Sequence, residues 1–229
     1  EMCIRDRLFP TILIIMVLAF IQREETVMLP DYHLHTDFSG DSTTPPRAQI
    51  ERAIQLGMDS LCITDHHDYD VESIIDFNLD LDPYMSSLTR LQEEYKDRID
   101  VRIGIELGLQ VHLKEYFKEL TRRYPFDFVI GSTHFIDRKD PAYPEFFEER
   151  GEANAYLQYF ETTLDNVSHL DDYDVAGHID YIVRYGPNKA VFYSYEAYRD
   201  ILDRILKAVI EHGKGIECNT AGLRKGISP

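Results

Sequence analysis

The stretch Ser60-Leu61-Cys62-Ile63-Thr64-Asp65-His66 joins a short apolar run to polar, reactive side chains. The same arrangement recurs in Val101-Arg102-Ile103-Gly104-Ile105-Glu106 and in the segment from Phe128 to His134. Short apolar runs of this kind are typical of strands buried in a parallel sheet. Because barrel enzymes carry their reactive groups at the carboxyl ends of several strands, this recurrence favours an α/β barrel.

Strand and helix signals alternate from Asp31 onward, which predicts an α/β fold with a parallel sheet. Six strands are expected at 31–36, 60–65, 101–107, 127–134, 174–179 and 215–219. Five helices are expected at 45–56, 83–97, 112–124, 152–170 and 195–212, with loops at 68–82 and 136–150. A closed barrel should continue with at least one more helix and strand. We therefore expect a TIM-like barrel that lacks its C-terminal strands in this chain.

The composition bounds the class of protein. A chain of 229 residues suits one barrel of roughly 250 residues, or two small domains. A net charge of −17 disfavours binding to a nucleic-acid backbone. The three cysteines, Cys3, Cys62 and Cys218, form no paired motif and favour a cytoplasmic location. Cys62 and Cys218 lie in strand-like runs and are expected to pack as small apolar side chains.

The N-terminal segment is interpreted separately from the predicted domain. Residues 1–27 are expected to be a non-native leader, such as upstream sequence or a reading-frame artefact, and the domain is expected to span 28–229. The apolar run from Leu8 to Ile21 is shorter than the roughly 20 residues that cross a bilayer. A membrane anchor or signal peptide is the alternative for this segment.

Histidines and carboxylates stand at five of the predicted strand ends, and their spacing indicates a metal centre. His33 and His35 are two residues apart in a strand, so their side chains share one face and can hold one ion. Imidazole with carboxylate suits zinc, manganese or iron. Taken alone, any one of these histidines could equally be a packed or a surface residue with no role in metal binding. Their recurrence at five strand ends favours one polynuclear site.

Several motifs extend this pattern across most of the chain. They are Tyr32-His33-Leu34-His35-Thr36, Thr64-Asp65-His66, Gly104-Ile105-Glu106, Gly131-Ser132-Thr133-His134-Phe135, Gly177-His178-Ile179-Asp180, Arg184-Tyr185-Gly186 and the run from Glu217 to Arg224. Over 29–226 they resemble the polymerase and histidinol phosphatase (PHP) family, in its histidinol-phosphatase branch. The resemblance implies a distorted (β/α)7 barrel with up to three divalent ions. It also implies hydrolysis of L-histidinol phosphate to L-histidinol and phosphate, in histidine biosynthesis.

The resemblance also implies a ligand set. One ion would be held by His33, His35 and Glu106, a second by Asp41 and His66, and a third by Glu106, His134 and His178, with Glu106 bridging. Many family members have histidine at the position of Asp41. The family's final Gly-Ser-Asp-x-His strand does not occur before Pro229, so the resemblance implies incomplete shells for two ions.

Other residues have candidate roles in the reaction. Arg184 and Arg224 follow strand ends and match phosphate oxygens, although each could form a surface ion pair instead. The catalytic candidates are Asp65, Glu106 and His178, and Asp65 would either orient ligands or donate a proton to the leaving group. For His67 and Asp68 two roles remain: contact with the substrate, or a place in a solvated loop. His112, His169 and His212 are expected to lie outside the site.

Three functions follow from these features. The first is a metal-dependent phosphatase acting on L-histidinol phosphate, with a small phosphate ester as its partner and with neither nucleic acid nor membrane expected. The second is a PHP-type phosphoesterase acting on other small phosphates or on nucleotides. The third is a catalytically incomplete metal-binding protein or fragment, which is supported by the missing final motif alone.

Overall fold

The computed structural model of the protein describes residues 30–224, including every side chain in that range except those of Ala190, Leu223 and Arg224. The expectation for residues 1–27 therefore lies outside the described residues. The strands are β1 (Asp31–Leu34), β2 (Ser60–Ile63), β3 (His66–His67), β4 (Asp100–Gly108), β5 (Phe128–Ser132), β6 (Val175–Ala176) and β7 (Gly215–Ile216).

Helices follow most of the strands. They are α1 (Pro46–Gln55), α2 (Leu81–Tyr95), α3 (Lys114–Arg123), α4 (Glu145–Glu148), α5 (Glu152–His169), α6 (Tyr195–Glu211) and α7 (Ala221–Arg224). Short 3-10 helices span Val111–Leu113, Tyr181–Arg184 and Lys189–Val191. In the described range no helix is both long and apolar enough to cross a membrane.

The strands form one parallel sheet in the order β1-β2-β4-β5-β6-β7, with β3 paired to β4 beyond the end of β2. The sheet curls into a half-barrel, and the edge strands of the described sheet are β1 and β7. This confirms the predicted α/β fold related to a TIM-like barrel. All strands are parallel, so their carboxyl ends meet at one rim of the half-barrel.

The central strand β4 is the longest of the described strands, and it is buried from Ile103 to Gly108. Ile103, Ile105 and Leu107 on one face are each at most 4% exposed and Glu106 on the other is 0% exposed, as expected for a strand covered on both faces. Gly104 is required by close packing: a Cβ atom there would lie 2.7 Å from the carbonyl oxygen of Phe128 on β5. The neighbouring strands can therefore approach β4 closely and bring their ends near Glu106.

The structure differs from the expected elements at four places. The second strand divides into β2 and β3 because the Asp65 carboxylate turns aside to accept hydrogen bonds from the backbone N–H and hydroxyl of Thr36. The expected loop 136–150 contains α4, which is anchored by the buried rings of Phe146 and Phe147. The last two strands, expected at 174–179 and 215–219, have two residues each.

The remaining differences concern side-chain burial. Cys62 is fully buried, as expected, but Cys218 is exposed, like both residues of the edge strand β7 that precedes it. The apolar face of α6 includes the buried Ile205 and Val209, as the sequence predicts. Ile210, which was placed on the same face, is 73% exposed.

We expect Tyr84→Phe to destabilise the sheet next to the site. The buried Tyr84 hydroxyl lies 3.0 Å from the carbonyl oxygen of Ile63 on β2 and 2.8 Å from that of Gly104 on β4. Removing this donor leaves buried carbonyls unsatisfied, so the free energy of unfolding should fall by about 1–3 kcal/mol in urea denaturation. The control is Tyr195→Phe, which removes the exposed hydrogen bond to Asp203 and should leave that free energy unchanged. Equal stability of both variants would contradict the role of Tyr84.

Candidate metal centre

The site is organised around one buried carboxylate, that of Glu106, near the end of β4. Glu106 is 0% exposed, and its Oε1 accepts a hydrogen bond of 2.7 Å from the hydroxyl of Ser132. Five imidazole nitrogens surround its two oxygens. Their distances are 3.3 Å for His33 Nε2, 3.2 Å for His35 Nε2, 3.2 Å for His66 Nδ1, 3.2 Å for His134 Nε2 and 3.1 Å for His178 Nε2.

Strand register brings these side chains together. His66 on β3 is paired with Glu106 on β4, and Ile130 on β5 is the partner of Glu106 on the other side. His33 and His35 point to the same side of β1, as the alternation of strand side chains predicts, and their ring centroids are 5.1 Å apart. The cluster therefore lies at the rim where all the strands end.

Three further carboxylates hold the outer nitrogens of these rings. Asp41 Oδ2 is 3.0 Å from His35 Nδ1, Asp68 Oδ1 is 2.8 Å from His134 Nδ1, and Glu217 Oε2 is 2.7 Å from His33 Nδ1. A carboxylate at Nδ1 fixes the neutral ring with its proton on that atom and its lone pair on Nε2. In each of these rings Nε2 is the atom that faces Glu106.

Sequence reasoning left Asp68 open between substrate contact and a solvated loop, and it did not assign Glu217 a role in the site. The side chain of Asp68 is 1% exposed, which excludes the solvated-loop interpretation. The space for its carboxylate depends on Gly108, since a Cβ atom there would lie 1.8 Å from Asp68 Oδ1. Glu217 belongs to a motif that was noted only for its resemblance, and its role required knowledge of how β7 faces β1.

The pKa values reflect how strongly the charges in the cluster are coupled. Burial disfavours the charged form of Glu106, but the imidazoles of His33, His66 and His134 together hold its pKa well below the usual range. Burial lowers the pKa of His33, yet attraction to Glu106 and Glu217 raises it to about 10. Burial likewise opposes protonation of His35, but its hydrogen bond to Asp41 and the nearby negative charge of Glu106 raise its pKa to about 9.

His178 behaves differently from these rings. Burial lowers its pKa to about 4, and the opposing influence of Glu106 is weaker. Its ring is therefore neutral at physiological pH. Its Nδ1 is buried and has no hydrogen-bond partner among the described residues. A neutral, buried imidazole has the protonation state that a metal ligand requires.

The residues present fit divalent metal ions. The buried atoms His35 Nε2, Glu106 Oε2 and His134 Nε2 also have no hydrogen-bond partner within the described part of the chain. Three sets of ligand atoms lie close enough together to share an ion: His33 with Glu106 and His178, His35 with His66 and Glu106, and His66 with Asp68 and His134. Nitrogen and carboxylate ligands of this kind suit zinc, manganese or iron.

The structure brings all seven of the expected ligands to one place, but in different groups. His33 and His35 were expected to share one ion with Glu106, whereas they fall into two separate triads that both contain Glu106. Asp41 lies 3.7 Å from His66 Nε2, its expected companion. Which ions these residues hold stays a prediction.

A cavity of about 620 Å³ opens over the cluster. Arg184 lines it, as expected for a phosphate ligand, and its guanidinium carbon lies 5.3 Å from the centroid of the Tyr181 ring. Tyr181 stacks in turn on His178 at 4.9 Å. Part of the remaining wall is aromatic or acidic, with Phe77, Phe135, Tyr143, Tyr185, Asp31 and Asp140, and Ala142, Cys218, Asn219, Thr220 and Ala221 also line it.

Among the described side chains, several other candidate residues do not line the cavity. Both oxygens of Asp65 accept hydrogen bonds from Thr36, and its carboxylate is buried below the cluster. Arg224 closes α7, and its side chain is outside the described residues. His67 is buried against the hydroxyl of Tyr116 at 2.6 Å and is not part of the cavity wall. The exposed histidines bind nearby aspartates, as expected for residues outside the site: His112 with Asp70, His169 with Asp165 and His212 with Asp171.

A parallel half-barrel with a histidine–carboxylate cluster at its strand ends defines the class of metal-dependent α/β barrel proteins. A model of the PHP domain matches residues 31–221, and the chain belongs to this family. It is 37% identical over 191 residues to a histidinol-phosphatase of Lactococcus lactis, covering 83% of this chain and 71% of that protein.

Solved structures agree with this assignment. A histidinol phosphate phosphatase from Lactococcus lactis, solved with zinc, L-histidinol and phosphate, has a TM-score of 0.77 and 35% identity, covering 83% of this chain and 73% of that one. A protein from Listeria monocytogenes has a TM-score of 0.75 at 19% identity, covering 87% of this chain and 85% of its own. At that identity the likeness concerns the fold alone.

We expect metal loading to release protons. In the metal-free protein the pKa values of His33 and His35, about 10 and about 9, keep both rings protonated at neutral pH, so an ion must displace their protons. At least about two protons should leave per chain, and metal affinity should rise as the pH rises toward 9. Calorimetric titration in two buffers of different ionisation enthalpy measures this release. Binding heats that do not depend on the buffer would contradict the coupling.

Proposed function

We propose that the protein is a metal-dependent phosphomonoester hydrolase that converts L-histidinol phosphate and water to L-histidinol and phosphate. The observation that carries this proposal is the Glu106-centred cluster, which opens into a cavity where Arg184 is available to an anion. The Lactococcus lactis relative named histidinol-phosphatase, and its structure with zinc, L-histidinol and phosphate, support the choice of substrate.

The metal-binding residues would be His33, His35, Asp41, His66, Asp68, Glu106, His134 and His178. Divalent ions bound there would supply Lewis acidity, which activates water and neutralises charge on the phosphoryl group. The buried negative charge of Glu106 attracts the imidazoles and holds them close to one another. Zinc is the ion found in the relative's structure, and manganese or iron and a total of up to three ions are further proposals from the donor set.

The substrate is held by groups on the cavity wall. Arg184 presents a planar guanidinium, which matches two phosphate oxygens, and Tyr181 fixes it by stacking between Arg184 and His178. Arg224 is proposed as a second phosphate ligand because α7 begins at the cavity wall with Ala221. The aromatic wall suits an imidazole ring, and its acidic groups suit an ammonium group.

Asp65 is better placed to orient the site than to donate a proton. Its two hydrogen bonds with Thr36 fix the residue that directly follows His35. We therefore propose that it orients the end of β1. The catalytic assignments that remain are Glu106, as the shared ligand, and His178, as the neutral imidazole between Glu106 and Tyr181.

We also propose a role in histidine biosynthesis and a cytoplasmic location. The first follows from the substrate. The second is supported by Cys62 and Cys218, which are free and unpaired with each other. The net charge of −17 supports a small phosphate ester over nucleic acid as the partner.

The proposal is tested by phosphate release from the full chain loaded with zinc or manganese. L-Histidinol phosphate should be hydrolysed faster than a nucleoside 3′-monophosphate or glycerol phosphate, because the cavity offers aromatic and acidic groups for the histidinol portion. Faster turnover of the nucleotide would favour a different PHP phosphoesterase. Metal binding with no phosphate release from any ester would favour a non-catalytic protein.

The substitution Arg184→Gln tests whether the cavity binds the phosphate group of the substrate. Losing a charged hydrogen bond to phosphate costs about 1.5–3 kcal/mol, which corresponds to a fall in kcat/KM of about 10- to 100-fold. The number of bound ions should not change. The matched control is Arg199→Gln, which removes an exposed arginine on α6 that is paired with Glu196. Equal kcat/KM values for the two variants would exclude Arg184 from phosphate binding.

A further inference from the structure

Glu217 follows β7 and reaches across the opening of the half-barrel to β1. Its Oε2 lies 2.7 Å from Nδ1 of His33 on β1. In the described sheet β1 and β7 are the two edge strands and share no backbone ladder. This side-chain contact therefore connects the two edges directly at the metal centre, and its carboxylate is 13% exposed.

The other oxygen of Glu217 is already occupied by hydrogen-bond donors. Oε1 accepts a hydrogen bond of 2.7 Å from the backbone N–H of His178 and one of 3.2 Å from the side-chain amide of Asn219. The orientation of the carboxylate is thereby fixed, and only Oε2 faces His33. A carboxylate oxygen only accepts hydrogen bonds, so the Nδ1 of His33 must carry the proton.

This arrangement determines which nitrogen of His33 is available. When a metal ion displaces one ring proton, the proton that remains is on Nδ1 and the lone pair is on Nε2, which lies 3.3 Å from Glu106 Oε2. We propose that Glu217 is a positioning residue that selects the His33 tautomer whose Nε2 is free to bind a metal ion beside Glu106. The inference depends on the proposed function only through the metal centre and not through the reaction.

The substitution Glu217→Gln separates this role from a purely structural one. The glutamine carbonyl should stay with its two donors, His178 N–H and the Asn219 amide, because turning the amide around would place donors against donors. The glutamine NH2 group then faces His33 Nδ1 and donates to it. The ring proton must move to Nε2, where it blocks metal binding. Glu217→Ala removes the selection without imposing the wrong tautomer.

Apparent zinc affinity of the full-length protein is measured by competition with a chromogenic chelator. Glu217→Gln should weaken binding by about 10- to 100-fold, at least as strongly as Glu217→Ala does. The matched control is Glu211→Gln, which removes an exposed carboxylate on α6 and should retain the affinity of the unsubstituted protein. The proposal would be overturned if Glu217→Gln kept the zinc affinity of the unsubstituted protein while Glu217→Ala lost affinity. The size and packing of the side chain would then be enough to explain its role.

A second measurement does not depend on any variant at position 217. In the zinc-loaded protein labelled with ¹⁵N-histidine, the ring of His33 should show a proton on Nδ1 in long-range ¹H–¹⁵N spectra. The His33 signals are assigned by their absence from the spectrum of His33→Gln. A proton on Nε2 of His33 would overturn the proposal. Neither readout involves phosphate release, so failure of the proposed hydrolase activity leaves both measurements interpretable.

Discussion

The site depends on burying the carboxylate of Glu106 completely. Removing an ionised carboxylate from water costs several kcal/mol unless positive or polar groups compensate for it. Here five imidazoles compensate, each within 3.3 Å of a carboxylate oxygen. In the metal-free protein the rings of His33 and His35 contribute positive charge, as their raised pKa values indicate, whereas the neutral ring of His178 contributes a polar contact alone. Divalent ions can supply the same positive charge, so the cluster can bind either protons or metal ions.

The fold supplies this convergence through its parallel register. Gly104 allows β5 to approach β4 closely, and the pairing of His66 with Glu106 fixes the height of the cluster at the rim. The outer carboxylates Asp41, Asp68 and Glu217 come from loops beyond the strands. Strands thus provide the inner ligands His33, His66 and Glu106, while His35, His134 and His178 follow within two residues of a strand end. The outer loop carboxylates determine how the rings are oriented.

Much of this arrangement was accessible from sequence, because strand alternation and strand-end position are local properties. They predicted the parallel α/β fold and the convergence of His33, His35, His66, Glu106, His134 and His178. The orientation of Asp68 and Glu217 was not accessible, because it depends on which loop residues turn inward, and this is decided by tertiary packing such as the space above Gly108. The metal grouping stays a prediction: His33 and His35 share a strand face, and their nitrogens fall into different candidate triads. Cys218 and Ile210 were expected to be buried but are exposed, because strand and helix patterns do not show which positions neighbouring elements cover.

The most direct measurement of the shared role of Glu106 is the number of metal ions retained per chain. It compares the unsubstituted protein with Glu106→Gln by elemental analysis after free metal has been removed. Glutamine keeps the size of the side chain but removes the charge common to two of the candidate triads. A shared carboxylate predicts the loss of more than one ion, with the fold retained. Retention of the full metal content by Glu106→Gln would contradict the central place of this carboxylate.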